Sequence, residues 1–179
     1  MKELIDNWRV FLLQESLSDY NVNGKMRLYH YSRSGEQNIN LDPEYFLSDR
    51  HSYSRRDYNI SDVPRVFFYA NLDHAEKMVK QGSTLFTTFV SANDVYDLNL
   101  DPLELKRKTV SPERPVPDID QVLKSLSGMD NFLLPQGTSH KGVFYTSGNM
   151  DIVAWFEPIF VEKFDSDDVE GTEGEANEY

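Results

Sequence analysis

Runs of β-branched and aromatic residues in alternating order recur along this chain and constrain its fold more than any other feature. Such runs are typical of β-strands, in which successive side chains point to opposite faces of a sheet. Turn-forming residues separate most of the runs, and only a few short helices intervene. This order predicts an α+β fold with mostly antiparallel, split sheets. The predicted strands are 27–32, 65–70, 84–91, 95–98, 141–146, 152–156 and 159–164.

Composition divides the 179 residues into three parts. Residues 1–24 are predicted to form a helical arm, 25–164 a single α+β domain, and 165–179 an acidic, disordered tail. The apolar stripe of the arm consists of Leu4, Ile5, Trp8, Phe11 and Leu12. This stripe either docks on its own domain, through Trp8 and Phe11, or packs on another protein chain.

Charge and composition exclude several classes of function. The formal net charge is −12, of which seven acidic charges lie in residues 165–179, so that the first 164 residues carry −5. A general basic surface for nucleic acid is therefore not expected, and a protein partner would bind through the N-terminal helix or the acidic tail. The absence of cysteine excludes disulfides, thiolate catalysis and Cys-ligated metals. No apolar stretch suits a membrane span or a signal peptide, which predicts a soluble, cytoplasmic protein without a membrane partner.

The strand Arg27–Ser32 brings one histidine beside a loop rich in Ser, Gly and Asn. Alternation places Leu28, His30 and Ser32 on one side and the two tyrosines on the other. His30 is either a structural histidine with both ring nitrogens bonded, or one that offers a nitrogen to a ligand.

The long segment from Ser48 to Pro64 shows no period and contains the basic cluster of this acidic chain. Its members are Arg50, His51, Arg55 and Arg56. These side chains either form salt bridges with the acidic surface or bind a phosphate or pyrophosphate through their guanidinium groups.

Other catalytic motifs are missing. The four histidines are far apart in sequence and lack ligand spacing, so no metal site is predicted. The sequence has no G-x-S-x-G, no P-loop and no G-x-G-x-x-G, which argues against serine hydrolase, NTPase and Rossmann functions.

The order of these elements resembles the ADP-ribosyltransferase fold, in its diphtheria-toxin and poly(ADP-ribose)-polymerase branch. The first matching segments are LYHYS, for the histidine strand of that branch, and RVFFYANLDHAEKMVKQG, for its tyrosine strand and following helix. LFTTFVSANDVYDL resembles the next strand, and KGVFYTSGNMDIVAWFEPIFVEKF the strand that carries the acidic residue of the family.

The resemblance implies a substrate and a set of site residues. NAD would be bound as substrate, with His30 and Tyr69 holding its ribose and nicotinamide and Asp151 polarising the ribose hydroxyl. Tyr31 and Ser32 would line the site. The pyrophosphate would contact Arg50, Arg55 or Arg56.

The chain also departs from the family pattern at three points. Tyr31-Ser32 replaces a small Gly-Ser or Gly-Thr pair, Phe68 replaces the glycine before the tyrosine, and Asp151 replaces a glutamate. The alternative is therefore a protein that keeps the fold without the activity. The opening MKELIDNWRVFL also resembles small tailed-phage proteins, which implies a virion component or a factor acting in the host cytoplasm on host machinery.

Overall fold

A computed structural model describes residues 16–33, 36–48, 63–78, 82–129, 133–134 and 139–165. These residues contain nine strands: β1 (Asn21–Val22), β2 (Lys25–Ser32), β3 (Asn38–Leu41), β4 (Val66–Tyr69), β5 (Thr84–Ser91), β6 (Val95–Asp97), β7 (Gly142–Ser147), β8 (Met150–Trp155) and β9 (Ile159–Lys163). The α-helices among them are α1 (Pro43–Ser48), α2 (Leu72–Met78), α3 (Leu105–Lys108) and α4 (Ile119–Leu126). Two short 3-10 helices cover Leu17–Tyr20 and Ala92–Asp94.

The strands form one hydrogen-bonded sheet in the order β3-β9-β5-β2-β4-β8-β7-β6, with β1 beside β2. Every pairing is antiparallel except that of β6 with β7, which confirms the predicted mostly antiparallel α+β fold. The predicted split into separate sheets is wrong, because β2 and β4 join all the strands into one sheet, although this junction is weak. There β2 and β4 share a single residue pair, Tyr29 with Tyr69, whereas β2 pairs with β5 along its whole length.

The two faces of the sheet are covered differently. One face, called the inner face here, carries the larger apolar cluster and is covered at one end by Leu17 and Tyr20. The opposite or outer face packs on α4 at the β7–β8 end through a second cluster. Farther along the outer face Phe89 and Phe160 are more than half exposed. The inner cluster includes Met26, Leu28, Phe68, Phe86, Phe144 and Val153.

Several element bounds follow from local chemistry. The strand predicted over 84–91 is confirmed, and α4 has apolar residues at helical spacing. Helix α3 begins at Leu105. Before it, Asp101 and Glu104 adopt positive φ angles of 45° and 52°, and the Asp101 carboxylate accepts the first helical N–H groups of α3.

Some predictions fall on residues that the structure does not describe. The first 15 residues of the predicted helical arm, with Trp8 and Phe11, lie outside the described residues, as do Arg50, Arg55, Arg56 and nearly all of the acidic tail. Within the described ranges, no helix has the length and apolar content needed to cross a membrane.

Candidate functional site

The junction between β2 and β4 opens toward the C-terminal end of β2. After Tyr29 the two strands stop pairing, although β2 stays bonded to β5 and β4 stays bonded to β8. In the gap, the His30 ring reaches the carbonyl oxygen of Phe67 through Nδ1 at 2.8 Å. A side chain thus makes the bond that a backbone N–H of β2 would make in a regular ladder. We call this gap the β2–β4 opening.

Three aromatic rings line the β2–β4 opening in a nearly parallel row. The His30 and Tyr31 rings lie 6.2 Å apart at 15°, and the Tyr31 and Tyr69 rings lie 6.2 Å apart at 19°. Side chains of consecutive strand residues normally point to opposite faces. The close approach of His30 and Tyr31 therefore means that both rings lean into the opening. His30 also lies 5.5 Å from Phe68, ring to ring.

The hydrogen bond to Phe67 shows which ring nitrogen of His30 carries a hydrogen. A carbonyl oxygen only accepts, so Nδ1 carries the hydrogen and donates it. Burial lowers the pKa of His30, and the bond to the Phe67 carbonyl opposes that shift only in part. The lowered pKa favours the neutral ring at pH 7. Chemically, the opening offers flat aromatic rings beside a neutral imidazole.

Asp151 lies away from this row of rings. It sits within β8, is 3% exposed, and its side chain points to the inner face together with that of Val153. Tyr69 pairs with Ile152 and therefore belongs to the outer face. The backbone of β8 meets the residue after Tyr69, since the Asp151 carbonyl accepts from the Ala70 N–H at 3.0 Å.

Two hydroxyl groups donate hydrogen bonds to the Asp151 carboxylate. The Tyr20 hydroxyl donates to Oδ2 at 2.6 Å and the Thr146 hydroxyl donates to Oδ1 at 2.7 Å. Asn99 in turn donates from Nδ2 to the Thr146 hydroxyl oxygen at 2.9 Å and accepts from the Thr146 N–H at 3.1 Å. Asp151 is buried, and its side chain lies on the opposite face of the sheet from that of Tyr69, so these two predicted site residues do not face one another. The oxygens of Asp151 are directed into a buried hydrogen-bond network.

Sequence reasoning missed this network completely. Tyr20 and Asp151 are 131 residues apart, and Asn99 and Thr146 are 47 apart. No local spacing signals such contacts. Asp97 caps the turn that carries Asn99 by accepting from the Asn99 and Leu100 N–H groups.

The other predicted site residues contribute less to the described geometry. Ser32 is the last residue of β2 and pairs with Thr84 at the open end of the junction. Arg50, Arg55 and Arg56 cannot be placed against the opening, because they are outside the described residues. In the described part of the chain, no group of three His, Asp or Glu side chains is arranged to hold a metal ion.

Comparison with known proteins identifies no relative. No family model, no curated protein and no solved structure matches the chain.

Proposed function

We propose that this chain is an ADP-ribosyltransferase-like protein that binds NAD at the β2–β4 opening. The observation that carries the proposal is the row formed by His30, Tyr31 and Tyr69 between two strands that no longer pair. A nicotinamide ring is flat and stacks on tyrosine faces, and a ribose hydroxyl donates to a neutral imidazole. The order of the strands supports the same assignment, since the histidine strand β2, the tyrosine strand β4 and the aspartate strand β8 are neighbours.

Transfer of ADP-ribose to a protein or nucleic-acid acceptor is the second part of the proposal. Cleavage of the bond between ribose and nicotinamide builds positive charge on the ribose, and a nearby carboxylate stabilises that charge. Asp151 is the candidate carboxylate. Its side chain shares the inner face with His30, because the alternation along β2 places His30 with Leu28 and Met26 of the inner cluster. At a strand spacing of about 4.8 Å, β2 and β8 are roughly 10 Å apart, so the proposal requires the reacting ribose to lie over β4, between His30 and Asp151.

A second candidate function is a non-enzymatic phage protein that keeps the fold, either in the virion or as a factor acting on host proteins. The observation that favours it is the engagement of Asp151 by Tyr20 and Thr146. A carboxylate with these two hydrogen bonds has a structural role rather than a catalytic one. Partner binding would then fall to the N-terminal helix or the acidic tail.

Calorimetric titration of NAD into the intact protein tests the first function. Stacking on one aromatic side chain is worth about 1–3 kcal/mol, so Tyr31→Leu should weaken NAD binding roughly 5- to 150-fold. Tyr31→Phe is the matched control, because it keeps the ring and removes only the hydroxyl, and its affinity should stay close to that of the wild type. Saturable binding that is equal in all three proteins would place the ligand elsewhere.

Incubation with labelled NAD then separates the two functions. Nicotinamide release and transfer of label to a protein or nucleic acid are scored independently. Binding without either product supports the non-enzymatic function. Absence of NAD binding up to millimolar concentration refutes the ADP-ribosyltransferase-like assignment.

A further inference from the structure

Arg27 projects from β2 onto the outer face of the sheet and is surrounded by aromatic rings there. Its guanidinium carbon lies 5.3 Å from the centre of the Phe89 ring, 5.2 Å from that of Phe164 and 5.8 Å from that of Tyr29. Its Nε donates to the Thr87 hydroxyl oxygen at 3.1 Å, and that hydroxyl in turn donates to the backbone of β2. These contacts hold the guanidinium group in one place on the sheet, although the side chain itself is long.

The Arg27 guanidinium has no acidic partner in the part of the chain that the structure describes. None of the ion pairs among the described residues includes it, and its one hydrogen bond there is the one from Nε. The two terminal nitrogens reach solvent, since neither is among the described buried atoms that lack a partner. In a chain with a net charge of −12, a positioned positive group is thus left available to the oxygens of an anion.

Two exposed phenylalanine rings continue from Arg27 across the outer face. Arg27 pairs with Phe89 of β5. The register between β5 and β9, continued by two residues, brings Phe89 level with Phe160. These two side chains are 58% and 53% exposed. At a strand spacing of about 4.8 Å, the row from Arg27 to Phe160 covers about 10 Å and presents a cation beside two flat apolar rings.

We propose that this row binds a mononucleotide, whose phosphate pairs with Arg27 and whose base stacks on Phe89 and Phe160. The fork of terminal N–H groups matches phosphate oxygens, and every base has a flat face that stacks on an aromatic ring. One guanidinium suits one phosphate, and Glu162 on the same face disfavours a longer anionic strand. The site lies four residues before Tyr31, about 14 Å along β2, and it does not depend on NAD binding at the β2–β4 opening.

NMR titration of the full chain with AMP tests this site. We expect saturable amide shifts that are concentrated at residues 25–29, 85–89 and 159–162. Adenosine and inorganic phosphate are titrated separately. Each of them offers only one of the two contacts, so each should bind at least tenfold more weakly than AMP.

Arg27→Met keeps the aliphatic chain and removes the charge, and it should weaken AMP binding at least tenfold. Arg107→Met is the matched control, because it removes an exposed arginine of α3 that pairs with Glu104, and its affinity should equal that of the wild type. Phe160→Leu removes one exposed ring and leaves the contacts of Arg27 unchanged. It should weaken AMP binding at least fivefold, and it keeps the test decisive if Arg27→Met does not fold.

Wild-type affinity for AMP in Arg27→Met or in Phe160→Leu would overturn the assignment. Phosphate binding as tight as that of AMP would also overturn it, since the rings would then contribute nothing. A shift of the Arg27 Nε–H resonance that follows salt concentration but not AMP would place a carboxylate there instead, such as one of the acidic tail that follows Phe164. Loss of NAD binding in Tyr31→Leu with AMP binding retained would leave this site standing, so the two proposals can fail separately.

Discussion

Removal of the Asp151 side chain tests the buried network most directly. Asp151→Ala deletes two charge-assisted hydrogen bonds, from Tyr20 at 2.6 Å and from Thr146 at 2.7 Å. Bonds to a charged group contribute about 1.5–3 kcal/mol each, so the gross loss is about 3–6 kcal/mol. The carboxylate is 3% exposed, and the cost of removing it from water opposes folding. Deleting the side chain also removes this cost, which offsets part of the loss in stability. We therefore expect the free energy of unfolding to fall by about 2–4 kcal/mol.

Urea unfolding followed by circular dichroism measures this change, with the slope against denaturant expected to stay constant. A double-mutant cycle with Tyr20→Phe isolates the Tyr20 bond, which should appear as a coupling energy of about 1.5–3 kcal/mol. Tyr45→Phe supplies the uncoupled control pair. A loss below about 1 kcal/mol for Asp151→Ala, or a coupling energy near zero, would refute the account of Asp151 as a bonded, buried carboxylate.

Three further predictions concern other parts of the chain. Gly142→Ala places a Cβ 2.8 Å from Cε3 of Trp155, so overpacking should lower the free energy of unfolding by about 1–3 kcal/mol, whereas an unchanged urea midpoint would contradict this packing. Burial lowers the pKa of His140 despite the opposing charge of Asp94, so the folded state resists its protonation; this contribution to stability is complete above about pH 6.5 and should be lost as the pH falls below that value. Urea midpoints between pH 8 and 5 measure that loss, which should be smaller in His140→Gln. Truncation after Phe164 removes mainly repelling charge and should leave the melting temperature nearly unchanged, and a large drop would show that the tail docks on the domain.

The sequence allowed prediction of seven of the nine described strands and missed the short strands β1 and β3. Period-two alternation identified β5 residue for residue, and the same alternation separated His30 from Tyr29 and Tyr31. The orientation of Asp151 did not follow from this pattern, because a register change of one residue moves a side chain to the other face of a sheet. That register depends on contacts across the fold, such as the pairing of Tyr69 with Ile152 rather than with Asp151.

The single residue pair between β2 and β4 affects how easily a bound ligand could separate the two strands. Separating two regularly paired strands breaks a ladder of backbone hydrogen bonds, each of them costly to leave unmade when water is excluded. At the junction between β2 and β4 the ladder is already absent beyond Tyr29. Side chains of the inner cluster, among them Leu28, Phe68 and Phe86, pack across this junction. Widening the junction by the thickness of a flat ring would break the Tyr29–Tyr69 pair and the bond between His30 and Phe67 and leave the ladders on either side intact. Separation at this line would thus cost fewer residue pairs than at any other described strand pairing.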